Sequence, residues 1–385
     1  MHSHVRIRCK EIKMAAMSLT IKKTAEYIKR IDDYRAGRLS YDTLFLNVTS
    51  HCNANCVFCE VRSLDHSRDM SAQRIMQIMN EAHDMGIAKI FFSGGEPFVM
   101  KDIWLLIGHA LTLRMKVSVV SNGLLVPSFG REQFDLLKKT DSIDISLESH
   151  IPAEHNRLRG GGDFFDKTVQ GIRLLRQHGI LVNINTVIST ANYLELAALI
   201  AFVRKLDVEM INFQPLHIWS NYHDALPRSK TAYALDAATL ADFDKSMDQA
   251  LAMEKSTGQK SNLKRIRPWI KQYFLAQLKN DGRIWMKDVV PDFKCVEVFT
   301  KLFLHSDGGV QPCAMLSPLD NAADKTLADA VKCLRKTKAM IRQGQFPEEC
   351  HKCSCQMMLN YNFSVMINPL TNIKNAVMLA LDYLR

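Results

Sequence analysis

Hydrophobic positions along the chain switch repeatedly between two periods. Short strand-like runs occur at Asp42–Val48, Ala88–Phe92, Lys116–Val120, Ser142–Leu147, Ile180–Ile188 and Met210–Phe213. Between them lie longer stretches whose apolar residues recur every three to four positions. These run from the N-cap candidate Ser71 to Gly86, from Ile103 to Leu113, from Gln133 to Lys139, from Phe164 to His178 with Gly179 as its stop, and from about Tyr193 to Lys205. Six strands alternating with helices predict a parallel sheet, and right-handed crossovers curl such a run toward a barrel. Ligand-binding residues then belong at the carboxyl ends of the strands.

Polar clusters fall at those ends: a cysteine loop after the first strand, Ser93-Gly94-Gly95-Glu96-Pro97 after the second, Ser121-Asn122-Gly123 after the third, Ser146 with Glu148 after the fourth, and Gln214-Pro215 after the sixth. Outside the repeat, Met14 to Gly37 reads as one or two helices. Ala234–Lys255 and Arg267–Lys279 read as helices of a bridge, in preference to a lid. Cys295 is followed by the strand-like Val296–Leu304, a turn at Ser306–Gly309 and a second strand into Cys313, a hairpin with thiols at both open ends. The expected division is an N-terminal helical segment (1–40), the barrel (41–220), the helical bridge (221–290), a small hairpin-plus-helix domain (291–358) and a C-terminal tail (359–385).

Length and composition fit that plan. A chain of 385 residues suits one large catalytic domain with an appendage, and 47% hydrophobic with 23% charged residues is ordinary for a globular protein. The formal charge of +10 admits an anionic partner. The basic residues are spread over Lys10–Arg30, Lys264–Lys271 and Lys332–Lys338, however, as on solvated helix faces, so nucleic acid is not the expected partner. The N-terminus lacks a signal-peptide core, and no apolar run is long enough to span a membrane. A reducing, cytoplasmic setting is expected, in which the clustered members of the ten cysteines read as metal ligands and not disulfides, with Cys9 standing alone.

Cys52, Cys56 and Cys59 form a CxxxCxxC loop. Soft thiolates select zinc, Cu(I) or iron–sulfur clusters, and three of them leave one iron of a four-iron cluster open for chemistry. A zinc knuckle is the plainer alternative, and with the positive charge it defines a competing class, a zinc-bearing nucleic-acid-binding protein. Cys295, Cys313, Cys350 and Cys353 form a second group suited to zinc or iron–sulfur, with Cys355 as a substitute for Cys353; Cys333 reads as structural.

The CxxxCxxC spacing with Phe58 before its last cysteine, and Gly94-Gly95-Glu96-Pro97 one helix later, resembles the signature of the radical S-adenosylmethionine (SAM) superfamily. The resemblance implies a partial (β/α)6 TIM-like barrel whose [4Fe-4S] cluster, held by Cys52, Cys56 and Cys59, binds SAM at its open iron. By the same resemblance Gly94, Gly95 and Glu96 receive the methionine part of SAM, Ser146 and Glu148 the ribose, and Arg159 the carboxylate, with Asn122 nearby and Phe58 against the cluster or the adenine. His150 departs from the glycine common there. The C-terminal cysteines resemble the twitch and SPASM extensions. Their number fits one auxiliary [4Fe-4S] cluster on Cys295, Cys313, Cys350 and Cys353.

The implied activity is reductive cleavage of SAM to a 5′-deoxyadenosyl radical that abstracts hydrogen from a substrate, with the auxiliary cluster as electron acceptor and a flavodoxin or ferredoxin as one-electron donor. The expected reaction is oxidation or rearrangement of a sugar, aminocyclitol or other small molecule, because only about 40 residues precede the first strand, too few for a leader-binding domain. Modification of a ribosomally made peptide is the alternative. The sequence names no catalytic acid or base.

Overall fold

The structure, a computed structural model, describes residues 28–61, 64–218, 231–280, 282, 284–289, 293–314, 316–348 and 350. Six strands lie side by side in chain order and all parallel: β1 (Thr43–Thr49), β2 (Lys89–Gly94), β3 (Lys116–Ser121), β4 (Ser142–Ser146), β5 (Val182–Ile188) and β6 (Met210–Pro215). Residues 28–35 form α1. The crossovers carry α2 (Ala72–Asp84), α3 (Ile103–Thr112), α4 (Arg131–Leu137), α5 (Pro152–Arg159), α6 (Phe164–Gln177) and α7 (Leu196–Arg204). The Ser71 side chain caps α2 by accepting from the Arg74 N–H, as its position predicts. The barrel is not closed.

The strand alternation sorts side chains onto two faces. Leu44, Leu46, Ile90, Phe92, Val117, Val119, Ile143, Ile145, Val182 and Ile184 are fully buried in one core with helix residues such as Ile75, Ile78, Leu106, Ile172 and Ile200. Each contributes about 1.5–3 kcal/mol through burial, which holds the helices against the sheet. The intervening residues face the concave side, where the rings of Phe91, Phe45 and Phe303 stack at centroid distances of 4.7 and 4.8 Å.

Both edges of this sheet are extended. Beyond β6, the two-residue β7 (Lys260–Ser261) pairs in parallel, so the expected bridge also supplies an edge strand. Its helix α8 (Ala237–Thr257) is capped by Asp236 and packs on α7, joined by a hydrogen bond from Ser246 to the Tyr193 carbonyl. At the other edge β8 (Lys301–Leu304) pairs in parallel with β1, and β9 (Gly309–Gln311) and β10 (Asp320–Asn321) follow antiparallel. The hairpin expected as a separate small domain is therefore hydrogen-bonded into the barrel sheet. The strand expected from Val296 is a helical turn over Glu297–Thr300 before it extends, favoured by the Lys301–Glu297 pair at 3.3 Å and a bond from Thr300 Oγ1 to the Val296 carbonyl. Among the described residues no helix is long and apolar enough to cross a membrane.

Arg74 fastens α2 to the segment after β10. Its guanidinium donates to the carbonyls of Ala322 (2.8 and 3.0 Å) and Lys325 (2.5 Å) and pairs with Glu81 at 3.0 Å, while Glu81 accepts from the Leu327 N–H. Arg74→Met keeps the aliphatic stem but strips two carbonyls of their donor. It should lower stability by about 1–3 kcal/mol in urea denaturation; an unchanged midpoint would show that this clamp holds nothing.

Candidate functional site

The cysteine loop begins where β1 ends, and its first turn is fixed by one carboxylate. Asp69 accepts from Thr49 Oγ1 (2.5 Å), from Ser50 Oγ (3.1 Å) and from the Ser50 N–H, and Thr49 Oγ1 in turn accepts from the His51 N–H at 3.0 Å. The sequence reading did not single out Asp69, which stands alone with no motif around it. Past the turn, Cys56 is buried, Cys52 half-buried and Cys59 exposed. The Ala54 N–H donates to Cys52 Sγ at 3.4 Å.

Gly94 and Gly95 meet this loop directly. The Gly95 N–H donates to the Thr49 carbonyl (2.7 Å) and the Glu96 N–H to the His51 carbonyl (2.9 Å). A Cβ on Gly95 would lie 2.1 Å from the His51 oxygen, and one on Gly94, at φ +124°, 2.3 Å from the Thr49 oxygen. The expectation is two glycines that admit a ligand. In the structure the space a side chain would need is filled by the backbone of the cysteine loop.

Glu96 is 1% exposed and accepts from the Phe98 N–H (3.2 Å), Ser121 Oγ (2.8 Å) and the Asn122 N–H (2.7 Å), which welds the end of β2 to that of β3. Burial raises its pKa, and those three donors oppose the rise. Asn122 then reaches back to the cysteine loop, donating to Asn53 Oδ1 at 2.7 Å, with its Nδ2 4.0 Å from Cys52 Sγ.

A third contact comes from α5. The carbonyls of Arg159 and Leu158 accept from the N–H groups of Asn55 (3.2 Å) and Val57 (3.0 Å). Gly160, in the left-handed conformation, ends the helix where a Cβ would lie 2.6 Å from the Asn55 oxygen. Arg159, expected to meet a cofactor carboxylate, pairs within the chain with Glu148 at 3.2 Å, the two being 12% and 1% exposed. Glu148 also accepts from the Val187 N–H at 2.9 Å. Burial works against the charge on Arg159, but Cys56, Glu148, Cys59 and Cys52 around it prevail and raise its pKa. Burial likewise pushes Cys56 up to about 11, opposed first by Arg159. One guanidinium thus stands within electrostatic reach of all three thiols.

Of the remaining expected residues, Ser146 is half-buried at the end of β4 and Phe58 half-buried in the loop. Cys295, Cys313 and Cys350 line one apolar pocket with Trp285, Phe293 and Phe346, whereas Cys333 lies in a separate cleft. Cys353 and Cys355 lie outside the described residues. Among the described residues no three His, Cys, Asp or Glu side chains converge as a lone metal ion would require. The fit of a cluster therefore rests on the donor set: three soft thiols in one loop, one amide donor on a sulfur, and a buried cation to offset negative charge, all as an iron–sulfur cluster requires.

Two measurements check this construction. Gly95→Ala forces a methyl against the His51 carbonyl and should sharply lower the iron retained after anaerobic reconstitution. Gly108→Ala, in α3 with open space around it, should leave iron content unchanged; equal iron in both variants would contradict the packing described. His155, whose Nδ1 accepts from the Glu148 N–H at 3.2 Å, is held by burial to a pKa of about 3. The native ring stays neutral while the unfolded one takes a proton below about pH 6.5, so stability falls with pH from there toward 3. Between pH 6.5 and 5 this loss should be about 2 kcal/mol in urea denaturation and should shrink in His155→Gln.

Comparison with known proteins agrees with the geometry. Residues 46–203 match the model of the Radical SAM superfamily. A probable GTP 3′,8-cyclase of Methanococcus maripaludis (strain DSM 14266) is 27% identical over 190 residues, 47% of this chain and 63% of that one. A PqqA peptide cyclase of Granulibacter bethesdensis is 24% identical over 221 residues, 56% of this chain and 58% of its own. The chain thus spans less than two thirds of the length of these curated relatives. Streptococcus suis SuiB bound to S-adenosylmethionine shares the fold at a TM-score of 0.60 and 17% identity, over 88% of this chain and 76% of that one; the same protein was also solved bound to the precursor peptide SuiA. The sequence match begins in β1 and ends in α7, so that the cysteine loop and the strand ends around it all fall inside it, and residues 46–203 of the chain are a radical SAM domain.

Proposed function

We propose that the chain binds a [4Fe-4S] cluster on Cys52, Cys56 and Cys59 and uses SAM to oxidise or cross-link a peptide substrate, with a second [4Fe-4S] cluster on Cys295, Cys313, Cys350 and Cys353. The observation that carries the first part is the three-sided hold on the cysteine loop beside Arg159. Cys52, Cys56 and Cys59 would hold the cluster, which would supply the one-electron reduction of SAM needed for radical hydrogen abstraction from the substrate. The chain's own part is to keep the loop in place, to hold positive charge against the thiolates through Arg159, and to line the strand ends where SAM and substrate meet.

Support for the auxiliary cluster comes from three thiols on one apolar pocket, shielded by Trp285, Phe293 and Phe346. A buried, fully ligated cluster suits electron acceptance from a substrate radical, and an exposed one-electron donor such as flavodoxin or ferredoxin would recharge the system. The peptide reading draws on reach. SuiB, solved with a precursor peptide, resembles the chain in fold over 88% of its length, and among the sequence matches the PqqA peptide cyclase covers 56% of the chain against 47% for the GTP cyclase. A small-molecule substrate, the reading favoured by sequence alone, retains the support of that cyclase.

Anaerobically reconstituted protein should hold about eight irons and form 5′-deoxyadenosine from SAM under dithionite. Cys52→Ala should abolish the nucleoside and leave about four irons. Cys313→Ala should also leave about four but keep nucleoside formation. Iron held only by the first loop would remove the auxiliary cluster from this account, and no nucleoside from the wild type would remove the activity.

A further inference from the structure

The concave face of the sheet carries polar groups that neither cluster uses. Cross-strand register places Ser118 beside Ser142, Val120 beside Asp144, and Asp144 beside Asn183; one rung nearer the carboxyl ends, Ser146, Asn185 and Asn212 align. Below Asp144, toward the amino ends, lies the rung that joins the stacked rings of Phe303, Phe45 and Phe91 to Ser118. This face therefore has an aromatic side on β8, β1 and β2 and an amide-and-carboxylate side on β4 to β6.

Asp144 is the charged member of that second side and is 8% exposed. Its Oδ1 accepts from Ser142 Oγ (3.0 Å) and Asn183 Nδ2 (2.8 Å). Its Oδ2 takes no hydrogen bond among the described residues, yet it is not one of the buried polar atoms left without a partner, so it opens to the lumen. The same holds for Asn183 Oδ1, which leaves two acceptors side by side on adjacent strands. The groups that act on Asp144 are neutral donors and not cations, and burial raises its pKa against them. Lys301, across the same face, sits 5.4 Å over the Phe45 ring and pairs with Glu297. A buried carboxylate without a cation costs stability unless something charged completes it. A structural role would be served by Ser142 and Asn183 alone, without an acceptor left open.

We propose that Asp144, with Asn183 beside it, receives a protonated nitrogen of the substrate, the amine or guanidinium of a basic peptide side chain, and so determines specificity in this site. The inference rests on the reading above that the lumen is substrate space. Asp144 lies two residues below Ser146, about 7 Å beneath the strand end. A side chain anchored there leaves its upper carbons and backbone toward the cysteine loop, where hydrogen abstraction takes place.

The test measures binding and not turnover, so its failure is distinguishable from failure of the radical chemistry. Reconstituted full-length protein with SAM and no reductant is titrated by saturation-transfer NMR with matched probes. These are acetyl-lysine methylamide against acetyl-norleucine methylamide, acetyl-arginine methylamide against acetyl-citrulline methylamide, and glucosamine against glucose. The cationic member of a peptide pair should bind at least about tenfold more tightly, the preference should persist in Asp144→Glu, and it should vanish in Asp144→Asn. Discrimination in the glucosamine pair alone upholds recognition of the protonated nitrogen but overturns the basic peptide side chain. No preference in any pair, or a preference that survives Asp144→Asn, overturns the proposal. Should Asp144→Asn fail to fold, Asn183→Leu decides: removing the second acceptor weakens the preference if the site is as inferred and leaves it unchanged if not.

Discussion

Three backbone segments converge on one loop, and the site depends on that contact. The cysteine loop has no regular hydrogen-bond ladder of its own. Its backbone groups are satisfied by Gly95 and Glu96 from the end of β2 and by the last two carbonyls of α5, while Asp69 closes its first turn. Each contact works only because glycine stands at Gly94, Gly95 and Gly160, where the neighbouring backbone occupies the space of a side chain. The loop is thus held by the barrel's own backbone, and the thiols are presented at the carboxyl ends of the strands.

Electrostatics completes what packing begins. Two glutamates, Glu96 and Glu148, are buried at the strand ends, and each is compensated differently. Glu96 is surrounded by neutral donors, which makes it a rivet between β2 and β3. Glu148 is matched by Arg159, whose charge also faces the three thiols. A cluster held on the three thiols would bring net negative charge into this region, and a guanidinium fixed by Glu148 would meet it without reorganisation. Burial of such a pair is not in itself stabilising, so its place beside the thiols is the better account of why it is there.

Much of this was legible in the chain. The alternation from Asp42 to Phe213 foretold six parallel strands, and all six lie within a few residues of their expected bounds, because each carries a helix-facing row of fully buried residues. The cysteine spacing and the Gly-Gly-Glu-Pro turn marked the right strand ends. Features that depend on distant partners were not legible. Helix α5 buries only His155 and Leu158, so its eight residues show no apolar stripe to announce it. Asp69 is a lone acid whose meaning comes from a turn 20 residues earlier. The docking of β8 on β1 joins residues more than 250 positions apart, a contact that no local pattern encodes. Arg159 and the glycines, which resemblance marks as cofactor contacts, also make contacts within the chain that no sequence pattern announces.

The central claim is that the held loop leaves one iron without a sulfur from the chain, and that SAM binds there. Electron paramagnetic resonance of the dithionite-reduced, reconstituted protein tests it most directly, with Cys313→Ala used to silence the second site. Adding SAM should shift the g-values of the remaining signal, as a change of ligand at one iron of the cluster requires. A spectrum indifferent to SAM at saturating concentration would contradict the account.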